Sequence, residues 1–217
     1  GKTKDTWGSN HGTVVGAEWV DDCVYGKCYK FNGTSDYIDC GNNETLKPKN
    51  FTVTIWFNAK EVSTCPRYFI GNGKDSYPSK GFGFYMNTSN SMYFRIQGGG
   101  GLDSSIIINT WEFATLIYEE GVGSKLYLNG VLKNSNDSFQ GSIVYDTHAF
   151  NIGRLYTTYY FFNGLIDDVR IYNSALSSAQ IKQNYIAGLD SMLRNGGLSK
   201  DEYSQRLQAL ANTDFAF

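Results

Sequence analysis

The sequence predicts an all-β fold, a sandwich or barrel, followed by a short helical hairpin. Short apolar segments recur between residues 28 and 172, separated by turns rich in Gly, Asn and Ser, and this pattern is typical of sandwiches and barrels. The composition agrees, because the 217 residues include 16 Tyr, 14 Phe and 24 Gly but 3 Pro, and aromatic residues favour strands. Beyond residue 176 the apolar residues follow a helical repeat instead. We therefore expect a β domain over residues 1–176 and a helical tail over residues 177–217.

The most regular strand prediction covers residues 51–57, FTVTIWF. Its odd-numbered residues are all apolar and form the predicted core face, whereas Trp56 and two threonines lie on the opposite face. Residues 125–133 form a predicted hairpin, because Asn129 and Gly130 accept the positive φ angles of a tight turn. Further strands are predicted at residues 29–31, 68–70, 82–86, 92–96, 113–118 and 150–152.

Two helix start signals follow residue 176. Ser177 and Gln180 form a predicted capping box, and the helix is expected to end at the Asn-Gly-Gly of residues 195–197. A second box, Ser199 with Glu202, opens a second predicted helix. The apolar residues at helical spacing are Ile181, Tyr185, Leu189, Met192, Tyr203, Leu207 and Leu210. We expect this stripe to pack on the sandwich or on itself, with an intermolecular partner as the alternative.

The charge balance argues against a nucleic-acid partner. The formal net charge is −2, and no basic cluster is long enough to hold a polyphosphate. No segment approaches the about 20 apolar residues that a membrane-spanning helix needs. Because the chain opens at Gly1 rather than Met, the sequence is compatible with removal of an upstream targeting or anchoring segment.

Four cysteines predict at least one disulfide. Cys23 and Cys28 flank a Tyr-Gly turn that can bring their sulfurs together, which leaves Cys40 and Cys65 as the second pair. Other pairings and four reduced thiols are the alternatives, and neither spacing matches a zinc site. A disulfide implies an oxidising compartment, so we expect an extracellular or cell-surface protein.

Two adjacent carboxylates interrupt the apolar segment FNGLIDDVRIYNSAL, residues 162–176. In a regular strand, odd-numbered residues from Leu165 to Ile171 share one face and the even-numbered residues share the other. Asp167 and Asp168 then lie on opposite faces, which argues against a shared catalytic site. The inward carboxylate needs a cation, a metal ion or several N–H donors. We expect Asp168 to pair with a cation or to face solvent.

Six segments, in this order, resemble one protein family. They are GKCYKFNGTSDYI (26–38), FTVTIW (51–56), WEFA (111–114), KLYLNG (125–130), NIGR (151–154) and the segment 162–176. Each is a weak signal alone, but together they resemble the laminin-G-like, or concanavalin A-like lectin/glucanase, superfamily in its bacterial and archaeal form. The resemblance covers residues 13–176 and implies a jelly-roll sandwich of two curved antiparallel sheets. Residues 183–189 and 198–203 resemble tails found behind such domains in bacterial pilin-like surface proteins.

The resemblance implies a structural calcium ion at Asp167. Several relatives use an aspartate at this position, together with backbone carbonyls from the amino-terminal part of the domain. Calcium takes about six to eight oxygen ligands, and we expect Asp36, Asn32 and Gly33 to contribute. The alternative is that Asp167 accepts N–H bonds from a neighbouring strand or turn, and that Asp36 caps the turn that begins at Gly33.

No catalytic residue is predicted. Laminarinase-type enzymes of the superfamily carry carboxylates spaced E-x-D-x-x-E on one strand. None of the seven Glu residues, at positions 18, 44, 61, 112, 119, 120 and 202, stands in that spacing. The two histidines, His11 and His148, are not accompanied by a Gly-x-Ser-x-Gly elbow, and we expect His148 in a loop or edge strand. A glycoside hydrolase or polysaccharide lyase with a non-standard site is the alternative.

Aromatic loops are the best candidates for ligand binding. The predicted ligand-binding residues are Arg154, Tyr156, Tyr159 and Tyr160 in one loop and Asn72, Asp75 and Tyr77 in another. Exposed aromatic rings stack on sugar rings, and nearby polar side chains hold sugar hydroxyls. The simpler alternative is that the tyrosines fill the margin of the core with their hydroxyls in water. We expect a non-catalytic module that binds a glycan or a cell-surface protein, with a purely structural surface domain as a further alternative.

Overall fold

The strands of the protein form two antiparallel sheets. The structure is a computed structural model that describes residues 1–60, 65–73, 80–97, 99, 101–155 and 160–212. The strands are β1 (Lys2–Thr3), β2 (Gly12–Val15), β3 (Glu18–Cys23), β4 (Gly26–Asn32), β5 (Tyr37–Asp39), β6 (Phe51–Ala59), β7 (Arg67–Asn72), β8 (Phe82–Met86), β9 (Ser91–Ile96), β10 (Leu102–Ser105), β11 (Glu112–Glu119), β12 (Gly123–Leu128), β13 (Val131–Asn136), β14 (Asn151–Ile152) and β15 (Asn163–Tyr172). Within the described residues, one sheet has eight strands in the order β1-β2-β5-β14-β7-β8-β9-β10. The other has seven, in the order β13-β12-β11-β6-β15-β4-β3. The architecture confirms the predicted all-β sandwich and is consistent with a jelly roll.

The predicted strands are present, and several short or polar ones were missed. β8 has the predicted limits, and the hairpin between β12 and β13 turns at Asn129 and Gly130, whose φ angles are 54° and 79°. The missed strands are β1, β2, β3, β5 and β10. β1, β3 and β10 are sheet edges, and β3 and β10 are largely exposed. Because β3 and β10 bury little of either face, the alternation of apolar and polar residues along them is weak.

The main core lies between the sheets and is rich in phenylalanine. The odd-numbered residues of β6 point into this core, as predicted, and Phe51 stacks on Phe82 of the other sheet with ring centroids 4.7 Å apart. The opposite face of β6 is buried as well, because Trp56 is 0% exposed. This central strand is therefore covered on both faces.

Two helices, α1 (Ser178–Asn195) and α2 (Lys200–Asn212), cover the outer face of the seven-stranded sheet. α1 begins with the predicted capping box of Ser177 and Gln180 and ends at Gly196 in the left-handed conformation. The apolar stripe of the hairpin packs on the sandwich, which was the first of the predicted partners. Neither of the described helices is long and apolar enough to cross a membrane.

Strand β15 contains a β-bulge at its two adjacent carboxylates. Asp168 has a φ of 46°, and the register of β15 against β6 shifts beyond Asp167. A bulge adds one residue to one strand, so side chains change faces beyond it. Val169 and Ile171 consequently pack against the same main core as Ile166. The predicted strict alternation along this segment was wrong.

Cys23 and Cys28 form a disulfide across the turn between β3 and β4, as predicted. The prediction that Cys40 pairs with Cys65 was wrong, because Cys40 carries a thiol. Cys40 follows β5 and Cys65 precedes β7, and β14 lies between these two strands. β5 and β7 are therefore two strand spacings, or about 9.6 Å, apart. A disulfide can span about 7 Å at most between the two Cα atoms.

Candidate functional site

Three tyrosines stand side by side on neighbouring strands of the eight-stranded sheet. Tyr68 on β7 pairs with Tyr85 on β8, and Tyr85 pairs with Tyr93 on β9. Their rings stack, with centroids 4.7 Å apart for the first pair and 5.7 Å apart for the second. Directly opposite residues of antiparallel strands share a face, so the strand register aligns these side chains.

The tyrosines lie on the outer face of this sheet. Phe84 and Met86, on either side of Tyr85, belong to the main core, so Tyr85 points away from that core. Tyr160 joins from the segment after β14. Its ring centroid is 5.9 Å from that of Tyr68, and its carbonyl accepts the Tyr68 N–H at 3.1 Å. We call Tyr68, Tyr85, Tyr93 and Tyr160 the tyrosine row.

Two glycines make room for the tyrosine row. A Cβ atom added at Gly83 would lie 2.6 Å from Cε1 of Tyr68, and one added at Gly101 would lie 2.6 Å from Cε1 of Tyr93. Both distances are too short for non-bonded carbon atoms. A larger residue at either position would therefore displace the neighbouring ring.

The tyrosine row reaches solvent mainly at its two ends. Tyr68 is 0% exposed and Tyr85 is 7% exposed, whereas Tyr93 and Tyr160 are half-buried. The inner rings therefore support the outer ones. A ligand on this face can reach Tyr93 and Tyr160 directly.

Charged side chains flank Tyr93. Arg95 lies two residues further along β9, and Asp103 stands directly opposite Tyr93 on β10, so all three share one face. Nδ2 of Asn134 donates to the Asp103 carboxylate at 3.3 Å. The outer sheet face thus combines aromatic rings and phenol hydroxyls with a guanidinium and a carboxylate. These groups can form apolar contacts and hydrogen bonds with a polyhydroxylated ligand.

Among the predicted ligand-binding residues that the structure describes, Tyr160 lies in the tyrosine row. Arg154 makes other contacts. Its guanidinium carbon lies 3.3 Å from the centre of the Tyr37 ring, and its Nε donates to Oδ1 of Asn151 at 3.2 Å. Both contacts hold the guanidinium beside β5 and β14.

Asn72 supports a neighbouring loop from a buried position. Its Nδ2 donates to the carbonyl of His148 at 2.6 Å, and its Oδ1 accepts the N–H of Asp146 at 2.9 Å. Both ends of this side-chain amide are thus engaged within the protein. The remaining predicted ligand-binding residues, Asp75, Tyr77, Tyr156 and Tyr159, lie outside the described residues.

Sequence reasoning missed three members of the tyrosine row, although part of the signal is visible. In residues 82–86 and 92–96 every second residue is Phe, Met or Ile, which places Tyr85 and Tyr93 on the opposite face. Neither segment encodes which strand it pairs with, or in which register. The alignment of the tyrosines therefore could not be predicted from local patterns.

Asp167 accepts backbone N–H groups, which was the alternative to calcium binding. Its Oδ2 accepts the N–H of Tyr25 at 2.9 Å, and its Oδ1 accepts the N–H of Asp168 at 2.8 Å. Burial has the largest effect on this carboxyl group and raises the pKa of Asp167 to about 6 in spite of these donors. Asp168 itself pairs with Arg170 at 2.8 Å, which was the first of the two expectations for this carboxylate.

The other predicted calcium ligands lie far from Asp167. Asn32 pairs with Asn163, which lies four residues before Asp167 on β15. At a rise of about 3.3 Å per residue, Asn32 and Asp167 are about 13 Å apart along the strand. Calcium requires its ligand oxygens about 2.4 Å from one centre. Asp36 accepts the N–H of Asn32 at 3.0 Å, and the Gly33 carbonyl accepts a hydrogen bond from an arginine. The predicted set does not fit one calcium site, and no cluster of three or more His, Cys, Asp or Glu suited to a metal occurs in the part of the chain that the structure describes.

Glu112 is a buried carboxylate with a role in the fold. It accepts the N–H of Ile107 at 2.9 Å and Nδ2 of Asn129 at 3.4 Å. Burial raises the pKa of Glu112 above its ordinary value. Because these hydrogen bonds connect two turns, we assign Glu112 a structural role.

A sequence model of one family, the concanavalin A-like lectin/glucanases superfamily, matches residues 32–182. Among solved structures, domain 4 of AbnA, a GH43 extracellular arabinanase from Geobacillus stearothermophilus, in complex with arabinotriose, superposes with a TM-score of 0.62. The sequences are 21% identical, and the match covers 79% of this chain and 86% of that one. No curated protein matches the chain in sequence.

Two larger proteins contain a similar fold. Trypanosoma rangeli sialidase matches with a TM-score of 0.68 and 15% identity over 88% of this chain and 31% of that one. The binding domain of botulinum neurotoxin serotype D matches with a TM-score of 0.66 and 18% identity over 87% of this chain and 50% of that one. The chain thus spans about a third of the sialidase and half of the toxin domain. At these identities the likeness is one of fold.

Proposed function

Because the chain belongs to the concanavalin A-like lectin/glucanase superfamily, we propose that it is a non-catalytic module that binds carbohydrate at the tyrosine row. The observation that carries the proposal is the lateral alignment of four tyrosines on one sheet face. Among the similar structures, the arabinanase domain in complex with arabinotriose supports a saccharide ligand.

The groups around Tyr93 suit the chemistry of a sugar. Aromatic rings pack against the C–H groups of a pyranose or furanose, and phenol hydroxyls both donate and accept hydrogen bonds. The carboxylate of Asp103, directly opposite Tyr93, supplies acceptors beside that ring. Neighbouring sugar hydroxyls can donate hydrogen bonds to such a carboxylate.

We propose that the module does not cleave its ligand. Glycoside hydrolysis uses two carboxyl groups about 5–10 Å apart, one on each side of the scissile bond. The carboxylate opposite Tyr93 belongs to Asp103, and its hydrogen bond is to the amide of Asn134. Incubation with a panel of polysaccharides tests this point. Release of reducing ends would favour a hydrolase, and release of unsaturated ends would favour a lyase.

A secreted or cell-surface location and a role in adhesion complete the proposal. The Cys23–Cys28 disulfide supports an oxidising compartment. The resemblance of the helical tail to those of pilin-like proteins supports surface display. A cell-surface protein is the alternative ligand, and a glycan array without any bound saccharide would favour it.

Calorimetric titration with a saccharide from the array tests the site. Tyr93→Ala and Tyr160→Ala are each expected to weaken binding about five- to tenfold, because each removes an aromatic contact. Tyr172→Ala is the matched control, since Tyr172 is a half-buried tyrosine on the other sheet. Thermal unfolding of each variant separates lost binding from lost structure. Unchanged affinity in both tyrosine-row variants would exclude this face as the site.

A further inference from the structure

The loop of residues 4–11, between β1 and β2, exposes a tryptophan almost completely. Trp7 is 92% exposed, more than any other large apolar residue found exposed in the described part of the chain. We call residues 4–11 the Trp7 loop. It belongs to neither the tyrosine row nor a core.

Hydrogen bonds to one carboxylate hold the Trp7 loop in shape. Oδ1 of Asp5 accepts the N–H groups of Trp7 and Gly8, each at 3.0 Å, and Oδ2 accepts the N–H of Asn10 at 3.1 Å. The side chain of Asn10 in turn accepts the hydroxyl of Thr45 at 3.0 Å. The backbone that carries Trp7 is therefore ordered before a ligand arrives, which lowers the entropy cost of binding.

Three exposed basic residues lie in the loop or next to it in sequence. Lys2, Lys4 and His11 are all exposed, whereas the carboxylate of Asp5 is engaged by the three N–H groups. The N–H of Asp5 donates to Nδ1 of His11 at 3.1 Å. In the neutral ring the proton therefore lies on Nε2, which is a hydrogen-bond donor. The loop thus carries an exposed aromatic side chain together with basic side chains, which are the groups that bind a carboxylate.

We propose that the Trp7 loop is a second saccharide subsite, selective for a carboxylated sugar such as a uronate or a sialate. The sugar ring packs on the indole face, and its carboxylate is bound by Lys4 and His11. This inference rests on the proposed carbohydrate-binding function. It adds the charge class of the ligand and a second point of contact.

The Trp7 loop and the tyrosine row are separate contacts. β2 and β7 are three strand positions apart in the eight-stranded sheet, which corresponds to about 14 Å. One monosaccharide cannot reach both. An oligosaccharide chain or a multivalent glycan can engage both, and the second contact then gains from a high effective concentration.

The test uses an oligogalacturonate, a sialylated oligosaccharide and their neutral counterparts in calorimetric titrations. Trp7→Ala is expected to weaken binding of the carboxylated ligands about tenfold, and Trp7→Phe about two- to threefold. Trp19→Ala is the matched control, since Trp19 is a 55% exposed tryptophan on β3 and its removal should leave affinity unchanged. The ligand should also shift the tryptophan fluorescence of the wild-type chain to shorter wavelength, and this shift should be absent in Trp7→Phe.

Charge selectivity provides a second readout. Lys4→Ala is expected to weaken binding of the carboxylated ligand several-fold and to reduce the salt dependence of that binding. Binding of neutral ligands should be unaffected. Equal affinity for carboxylated and neutral ligands, or unchanged affinity in Trp7→Ala, overturns the inference. If Tyr93→Ala and Tyr160→Ala still lose binding in that case, the proposed function stands without the second subsite. If no saccharide binds the wild-type chain, both fail.

Discussion

Trp56 of β6 stacks on Tyr185 of α1, with ring centroids 5.6 Å apart and ring planes 21° apart. Trp56 lies on the face of β6 that points away from the other sheet. The helix replaces water on that face, and burial of two aromatic side chains favours the contact. The helical hairpin therefore shares a second core with the sandwich.

Gly188→Ala is expected to lower the free energy of unfolding by about 1–3 kcal/mol. A Cβ atom at Gly188 would lie 2.3 Å from the ring of Trp56. Alanine normally stabilises a helix interior by about 1 kcal/mol relative to glycine, so a loss of stability identifies the steric conflict. Urea unfolding measures the change, and the exposed neighbour Ala187, replaced by glycine, calibrates helix propensity alone. A more stable Gly188→Ala variant would contradict the close packing.

Asp167 is expected to make stability depend on pH between about 4 and 6. Burial raises its folded pKa from 3.8 to about 6, so the folded chain binds the proton more tightly than the unfolded chain. The resulting stabilisation is fully present below the pKa that Asp167 has in the unfolded chain. It is lost as the pH rises through the pKa that Asp167 has in the folded chain. Its size is at most about 3 kcal/mol.

Asp167→Asn removes this titration, although it also loses one acceptor for a backbone N–H. The difference in unfolding free energy between variant and wild type should therefore shift in favour of the variant as pH rises across that range. Denaturant unfolding at several pH values measures the shift. Asp137→Asn, in an exposed loop, is the control. A difference that stays constant with pH would rule out the raised pKa.

Gly83→Ala is expected to weaken saccharide binding several-fold while the sandwich still folds. The new methyl group would displace the ring of Tyr68, and the stacked rings that support Tyr93 and Tyr160 would shift with it. Gly141→Ala is the control, because its added Cβ would meet its nearest atom at an ordinary 3.7 Å. Titration and thermal unfolding report on binding and fold separately. Wild-type affinity in Gly83→Ala would show that the alignment of the row does not matter for binding.

The thiol of Cys40 is expected to react slowly in the folded protein. Burial, aided by the neighbouring carboxylate of Asp39, raises the pKa of Cys40 to about 12, so very little thiolate forms at neutral pH. In a Cys65→Ser background, a thiol-specific disulfide reagent should label Cys40 fully only after unfolding. A variant that also carries Cys40→Ser gives the baseline. Rapid labelling under native conditions would contradict the raised pKa of this partly exposed thiol.

Local patterns were sufficient for the main elements of the fold. The alternation along β6 identified the residues that face the main core, and the pair Asn129 and Gly130 identified the hairpin turn, because both signals lie within a few residues of sequence. The capping box at Ser177 located the start of α1 for the same reason. The alternation failed at Asp168, since a bulge changes the side-chain period without a distinctive residue pattern.

The candidate sites depended on the tertiary structure to different degrees. Tyr160 was predicted from its aromatic loop, but its neighbours in the tyrosine row come from three strands whose register no single segment encodes. Trp7 was not singled out, because exposure of one aromatic residue depends on what the rest of the chain leaves uncovered.

The sequence by itself determined most of the longer strands and both helices, the hairpin turn at Asn129 and Gly130, the cap at Ser177, and which face of each regular strand is apolar. These properties follow from the 2.0 and 3.6 residue periods and from turn chemistry. Only the tertiary structure decided that Trp56 is covered by a helix and that the tyrosines form a row. It also decided that Asp167 meets the backbone of Tyr25, 142 residues away in sequence. Such contacts are set by strand order, register and packing, which are properties of the whole chain.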